Sequence, residues 1–298
     1  MNETRSDIGR VTRIAIAVAG WAIAASATAQ SPDAAPGSKL DLPSIVNLRD
    51  IGGYKTRDGS VVRKKLLYRS GALGRCSPDD LTKLAGLNLK CDFDLRLSNE
   101  RADLPDRVPP GVNVISLNVL ADSDGSASAQ LGRLMRRPMD VSAEKAIELS
   151  QAAMSQAFRE LVTLPSAKKA YRQLFLDLAD EKNLPAIVHC TYGKDRTGWA
   201  IAALLTLLGV PENVVIEDYL RSNDNVLPVY QRAIDNFARE GGDPAVARII
   251  VGVRAEYLKA GLDEVRKQYG TIEGYFAKAL QIDAAGQQRL KDRFLERP

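Results

Sequence analysis

The sequence predicts an α/β fold: a mainly parallel central sheet flanked by helices on both faces, with a helical region at the C-terminus. Two observations carry this. Four short apolar runs alternate with longer segments of helical periodicity, the pattern of strands joined by crossover helices. The last third of the chain is then helical almost throughout. No fixed-period repeat or internal linker divides residues 44–298, which read as one domain.

Lys65 to Tyr68 is the first expected strand, a short apolar run of the buried type. Ser77 is placed to cap a helix from Pro78 to Leu87, with proline at its first position, where the missing N–H costs nothing. Leu89 to Leu95 and Val112 to Leu117 follow as further buried strands. Helices are expected over Ala143 to Leu164 and Lys168 to Ala179, and a buried strand over Ala186 to His189. Thr197 to Leu208 is apolar nearly all round, which predicts a central buried helix, ended by Gly209 and Pro211. Pro211 to Leu220 is helical, and Val229 to Phe294 is helical with interruptions.

The N-terminus reads as an export signal over residues 1–29. Arg5, Arg10 and Arg13 precede the apolar stretch Ile14 to Ala25, too short to span a bilayer comfortably. Ala27-Thr28-Ala29 offers a small-x-small cleavage site with Gln30 as the new terminus. A retained membrane anchor or an amphipathic helix is the alternative. Residues 30–43, rich in Pro, Ala, Gly and Ser at their start, read as a flexible linker. The expected location is periplasmic or secreted.

The 298 residues are 45% hydrophobic and 26% charged, enough for a sizeable core. A formal charge of +4, with the basic residues scattered among acids, gives no footing for nucleic acid. The three cysteines, Cys76, Cys91 and Cys190, leave at least one thiol unpaired, unusual for an exported chain unless the thiol is used. Cys76 and Cys91 bracket a helix of about 15 Å, beyond the ~7 Å a disulfide tolerates, so no disulfide is expected.

Chemistry concentrates in Val188 to Ala200, "VHCTYGKDRTGWA". Here a buried strand ends, a loop runs from Cys190 to Arg196, and a helix starts at Thr197. Loop N–H groups and a helix N-terminus at the carboxyl edge of a parallel strand form an anion cradle. The same field lowers the pKa of a thiol at its centre. Gly193 lets the backbone turn inward and Gly198 allows close helix packing. Arg196 can fork two N–H donors onto a tetrahedral oxyanion, and the Thr197 hydroxyl can stabilise the sulfur as a leaving group. The loop is not a nucleotide P-loop, because Gly193-Lys194 is followed by Asp195 rather than Ser or Thr. His189 with Cys190 is a poor metal site: adjacent residues rarely converge on one ion, and the chain has no second histidine.

His189 to Gly198 resembles the signature loop of cysteine-dependent phosphatases, and most of all that of the atypical bacterial tyrosine phosphatases of dual or triple specificity. "NLRDIGGY" (Asn47 to Tyr54), "LYRS" (Leu67 to Ser70), "DLR" (Asp94 to Arg96), "DYLRSND" (Asp218 to Asp224) and "GVRAEYL" (Gly252 to Leu258) extend the resemblance over nearly the whole mature chain. It implies a phosphatase-like fold with a helical lid around Asn223 to Gly242, or alternatively a static helical cap. It implies no cofactor, and a two-step reaction: Cys190 attacks phosphorus, and water hydrolyses the phosphocysteine. The loop amides of Thr191, Tyr192, Gly193 and Lys194, with Arg196, bind the phosphoryl oxygens. His189 fixes the loop through hydrogen bonds rather than transferring a proton. Lys194 either favours doubly anionic or phosphoinositide headgroups or faces solvent. Tyr192 stands where a small residue is usual, so it narrows or lines the pocket mouth.

The general acid is left open. No Trp-Pro-Asp sequence follows Trp21 or Trp199, and the candidates are Asp195, which is preferred because the cradle holds it, and Asp122 or Asp124. The last two also read as turn residues around Gly125, and Asp195 as a helix-capping or salt-bridge partner. Arg49, Asp50, Asp94 and Arg96 read either as supports of the loop or as structural ion pairs. Three functions follow: an exported phosphatase of phosphotyrosine and other phosphomonoesters, a phosphoinositide phosphatase on the same fold, or a non-catalytic phosphate-binding module. Expected partners are phosphorylated protein or phosphoinositide substrates, with no nucleic acid and no metal.

Overall fold

The structure, a computed structural model, describes residues 35–122 and 141–297. The export signal, Asp124 and Gly125 lie outside the described residues. A five-stranded sheet forms the centre. Its strands are β1 (Arg49–Asp50), β3 (Leu67–Ser70), β4 (Cys91–Asp94), β5 (Asn113–Ser116) and β6 (Ala186–His189). The spatial order is β1-β3-β6-β4-β5; β1 is antiparallel to β3 and every other pairing is parallel. Ser70, His189, Asp94 and Ser116 are in register, so the carboxyl ends of four strands make one edge.

Alternation along the strands sends side chains into two cores. Leu67, Cys91, Phe93, Ala186 and Val188 join the large core under helices α3 (Ala143–Thr163), α4 (Pro165–Ala179) and α5 (Arg196–Leu207). Tyr68 and Ile187 point the other way, onto Leu84 of α1 (Pro78–Ala85), Cys76 and the entering segment. Cys76 and Cys91 thus lie in separate cores, and all three cysteines are free thiols. Helix α5 is buried nearly all round, as its composition predicts, and Gly209 ends it with a φ of 91°.

Several boundaries differ from the sequence reading. The first expected strand, β3, starts at Leu67 because Lys65 sits in a left-handed turn at φ 63°, its N–H held by Asp50. Asn113–Ser116 is an edge strand rather than a buried one, and Val114 is exposed there. Leu40 and Leu42, placed by composition in the linker, are buried, and Leu40 N–H bonds the Leu48 carbonyl. Strand β1, helix α2 (Ser98–Asp103) and a ribbon of β2 (Val61–Val62) with β7 (Leu295–Glu296) were not expected. Beyond α6 (Glu212–Leu220), helix α7 (Ser222–Arg239) starts before Val229 and carries Pro228 inside it. Helices α7 and α8 (Pro244–Val251) share a small apolar cluster with Ala146 of α3. No helix among the described residues is long and apolar enough to cross a membrane.

Candidate active site

Strand β6 ends at His189, and the chain turns through residues 190–195 into α5, as the sequence predicts. What shapes the loop is where its carbonyls go. The Thr191 carbonyl accepts from Ala72 N–H at 3.2 Å. The Gly193 carbonyl accepts from Asn47 Nδ2 and from Arg69 Nη2, each at 2.9 Å. Asn47 also reaches the Tyr192 carbonyl at 3.4 Å. A peptide plane holds its N–H opposite its C=O, so the N–H groups of Tyr192, Gly193 and Lys194 face inward. Gly193 has φ 67°, and a Cβ there would overlap the Ser70 carbonyl, so only glycine fits.

The Cys190 thiol is buried at the focus of this loop. Burial pushes its pKa up, but the Arg196 charge and hydrogen bonds from the Thr197 hydroxyl and N–H outweigh that, and the net shift is downward. The Thr197 hydroxyl is buried and bonds no nitrogen or oxygen, which leaves the sulfur as its partner. Arg196 is gripped from outside by Glu100 of α2: Nη1 donates to Oε2 at 2.6 Å and Nη2 to Oε1 at 2.8 Å. Nη2 also donates to Thr191 Oγ1 at 3.0 Å, and the Thr191 hydroxyl bonds Glu100 in turn. Despite burial, which raises it, the Glu100 carboxyl is held down to about 2 by the Arg196 hydrogen bonds and charge.

Beneath the loop, Asp218 of α6 binds three groups at once. It accepts from Arg69 Nη1 at 2.6 Å and Tyr54 Oη at 2.9 Å, and pairs with Arg49 Nη2 at 3.5 Å. Arg49 in turn bonds the Asn47 side chain. Asp218, Arg49, Arg69 and Asn47 are all buried, so the two groups holding the Gly193 carbonyl are themselves fixed. Arg49 therefore supports the loop, whereas Asp50 accepts from the N–H groups of Gly52 and Lys65 and braces a turn.

His189 is fully buried. Its Nε2 lies 3.1 Å from Asp92 and 3.3 Å from Asp106, and its Nδ1 lies 3.4 Å from the Cys190 carbonyl. Burial opposes its charge, yet Asp92 and Asp106 raise its pKa well above 6.5. Arg96 closes the cluster, bonding Asp94 at 2.9 Å and Asp106 at 2.6 Å. Asp92, Asp106 and His189 are the one group of potential metal ligands close enough together among the described residues. In this structure the two carboxylates face the buried imidazole as close charged neighbours.

The structure brings Cys190, Thr191, Tyr192, Gly193, Lys194, Asp195, Arg196, Thr197 and His189 together. Lys194 does not face solvent: it is buried, and its Nζ reaches both Asp195 oxygens, at 2.9 and 2.7 Å. Asp122 stands apart. It accepts from Ser166 N–H at 2.9 Å and from the Ser166 hydroxyl, capping the start of α4. No hydrogen bond or ion pair joins it to the loop among the described residues. Glu100, Asn47, Arg69 and Asp218 were not singled out from sequence. The last three lie inside the quoted motifs, and a charged residue within the apolar Leu67-Tyr68-Arg69-Ser70 strand was the available signal.

The sequence pattern of the tyrosine phosphatase family matches residues 40–296. The chain is 32% identical over 263 residues to the triple specificity protein phosphatase PtpB of Mycobacterium tuberculosis, covering 80% of this chain and 93% of that protein. A chain of Cupriavidus necator, named among the tyrosine-protein phosphatases, is 31% identical over 248 residues, 83% of this chain and 85% of its own length. A tyrosine-protein phosphatase of Nostoc commune is 27% identical over 278 residues, 91% of this chain and 84% of its own.

Proposed function

The chain belongs to the tyrosine phosphatase family, and on that premise we propose how its residues divide the work of a cysteine-dependent protein-tyrosine phosphatase. The carrying observation is the lowered-pKa Cys190 thiol at the focus of inward N–H groups, beside the Arg196 fork. The Cys190 thiolate attacks phosphorus in line. The S–P bond forms as the P–O bond to the leaving group breaks, and the leaving oxygen takes a proton from Asp195. Water then attacks phosphorus and loses its proton to Asp195. The S–P bond breaks, and the thiolate returns to the Thr197 hydrogen bond. Loop N–H groups and Arg196 bear the charge spread over the equatorial oxygens.

The Asp195 role has a structural condition. Both its oxygens are held by Lys194, so Asp195 must give up that ammonium and take up a proton before it can serve the leaving oxygen. A phosphate dianion is the group that competes for Lys194. The same exchange would serve any phosphomonoester dianion, so Lys194 admits phosphomonoesters beyond phosphotyrosine without ranking them. Helices α7 and α8, with their own apolar cluster and few ties to the sheet, suit a lid.

Cys190→Ser tests the assignment. Turnover should vanish while vanadate or phosphate still binds, because the N–H cradle and Arg196 remain. Substantial residual phosphatase activity would overturn it. We also propose export: mass spectrometry of protein from the native host should find Gln30 at the N-terminus, and an intact Met1 form in the cytoplasm would refute this.

A further inference from the structure

We propose that Tyr192 and Tyr230 form an aromatic wall at the mouth of the cradle that selects flat aryl phosphates over alkyl and inositol phosphates; this rests on the phosphatase reading of Cys190 and Arg196. Tyr192 is the one aromatic residue of the 190–196 loop. Its ring meets Tyr230 of helix α7 edge to face, with centroids 4.6 Å apart at 82°. Both rings are half-buried, and neither hydroxyl bonds another described residue, so the two tyrosines meet by ring packing alone. The pair stands around the reacting atoms. Tyr192 feels the charges of Asp195, Glu100, Arg196 and Arg75, and Tyr230 those of Arg75 and Cys190. Val46 and Leu227 pack against the same apolar cluster as the two rings.

In-line attack by Cys190 sends the leaving group out of the cradle on the side opposite the sulfur, across its rim. The first atoms beyond the bridging oxygen therefore pass the wall. A phenyl group is flat, offers both ring edge and ring face to the tyrosines, and buries apolar area against them. A seryl carbon or a hydroxylated inositol ring has no π surface, and the inositol ring is thicker and carries hydroxyls that would lose water there.

The test compares one peptide carrying phosphotyrosine or phosphoserine, together with inositol phosphate, in the full chain. Tyr192→Ala should raise the phosphotyrosine KM relative to the phosphoserine KM by about 3- to 10-fold, the size of one aromatic contact. The change should appear in KM rather than kcat. Tyr192→Phe should recover the wild-type ratio, since the hydroxyl has no partner. Tyr230→Ala should shift the ratio the same way by a smaller factor, and it decides the matter if Tyr192→Ala does not fold. An unchanged ratio, or equal losses on all three substrates, overturns the wall. A wild-type protein inactive on every substrate would instead overturn the phosphatase reading.

Discussion

Replacing Glu100 by glutamine removes one charge and leaves the shape of the side chain almost unchanged. In the wild type, Glu100 takes two short hydrogen bonds from Arg196, and the pair is mostly shielded from water. Its pKa falls from 4.5 to about 2, burial opposing and Arg196 prevailing. At ~1.36 kcal/mol per unit this is a stabilisation of about 3 kcal/mol. The folded pKa is depressed, so the stabilisation is whole above about pH 4.5 and drains away as pH falls towards 2. Glu100→Gln should therefore unfold about 3 kcal/mol more easily in urea at pH 7, a drop of roughly 6 to 12 °C in melting midpoint. The gap should narrow steadily below pH 4.5. Activity should fall as well, because an unlocked guanidinium spends less time in the geometry the phosphoryl oxygens need. A displacement of about 1 Å costs on the order of 100-fold, so kcat/KM should drop about 10- to 100-fold. A variant as stable as the wild type at pH 7, or a gap that ignores pH, would refute the reasoning.

Three further predictions follow from the same geometry. Gly193→Ala should lose nearly all phosphatase activity and melt at lower temperature, because the added carbon meets the Ser70 carbonyl at a left-handed backbone position; wild-type turnover would mean the loop is not held as described. Asp218→Asn leaves Arg49 and Arg69 buried without their counter-charge and should cost about 3–5 kcal/mol in urea unfolding at pH 7; a loss under about 1 kcal/mol would assign that anchoring elsewhere. Asp195→Asn should lower kcat/KM for aryl phosphates little when the leaving group is a nitrophenolate, and by about 100-fold or more when it is a poor one. If Asp195→Asn slows every substrate equally while Asp122→Asn shows the graded pattern, the acid is Asp122.

The alternation of apolar runs was enough to read the α/β architecture, because buried parallel strands need apolar residues on both faces. The Cys190–Arg196 loop was legible for a different reason: its chemistry is contiguous in the chain. Where a partner comes from afar, sequence gave little. Glu100 is one acid in the polar stretch "SNERAD", and nothing local marks it as the grip on Arg196, 96 positions along. Asp218 stood only as the first residue of "DYLRSND", and its partner Arg69 lies 149 positions away. Strand ends shifted because turns such as that at Lys65 depend on a tertiary acceptor, Asp50, rather than on propensity. The edge position of β5 depends on sheet order, which periodicity does not encode.

That order also fixes a sequence of events in time. Strand β6 lies between β3 and β4, so the first two parallel strands to be synthesised never pair with each other. Each waits for a strand made more than halfway along the chain, and the loop that does the chemistry hangs from that late strand. A nascent or truncated chain ending before Ala186 therefore lacks both the middle of its sheet and its nucleophile. Long-range pairing of this kind is slow and leaves strand edges open meanwhile. A chain that ends before Ala186 lacks the Cys190 thiol with which to attack a phosphate.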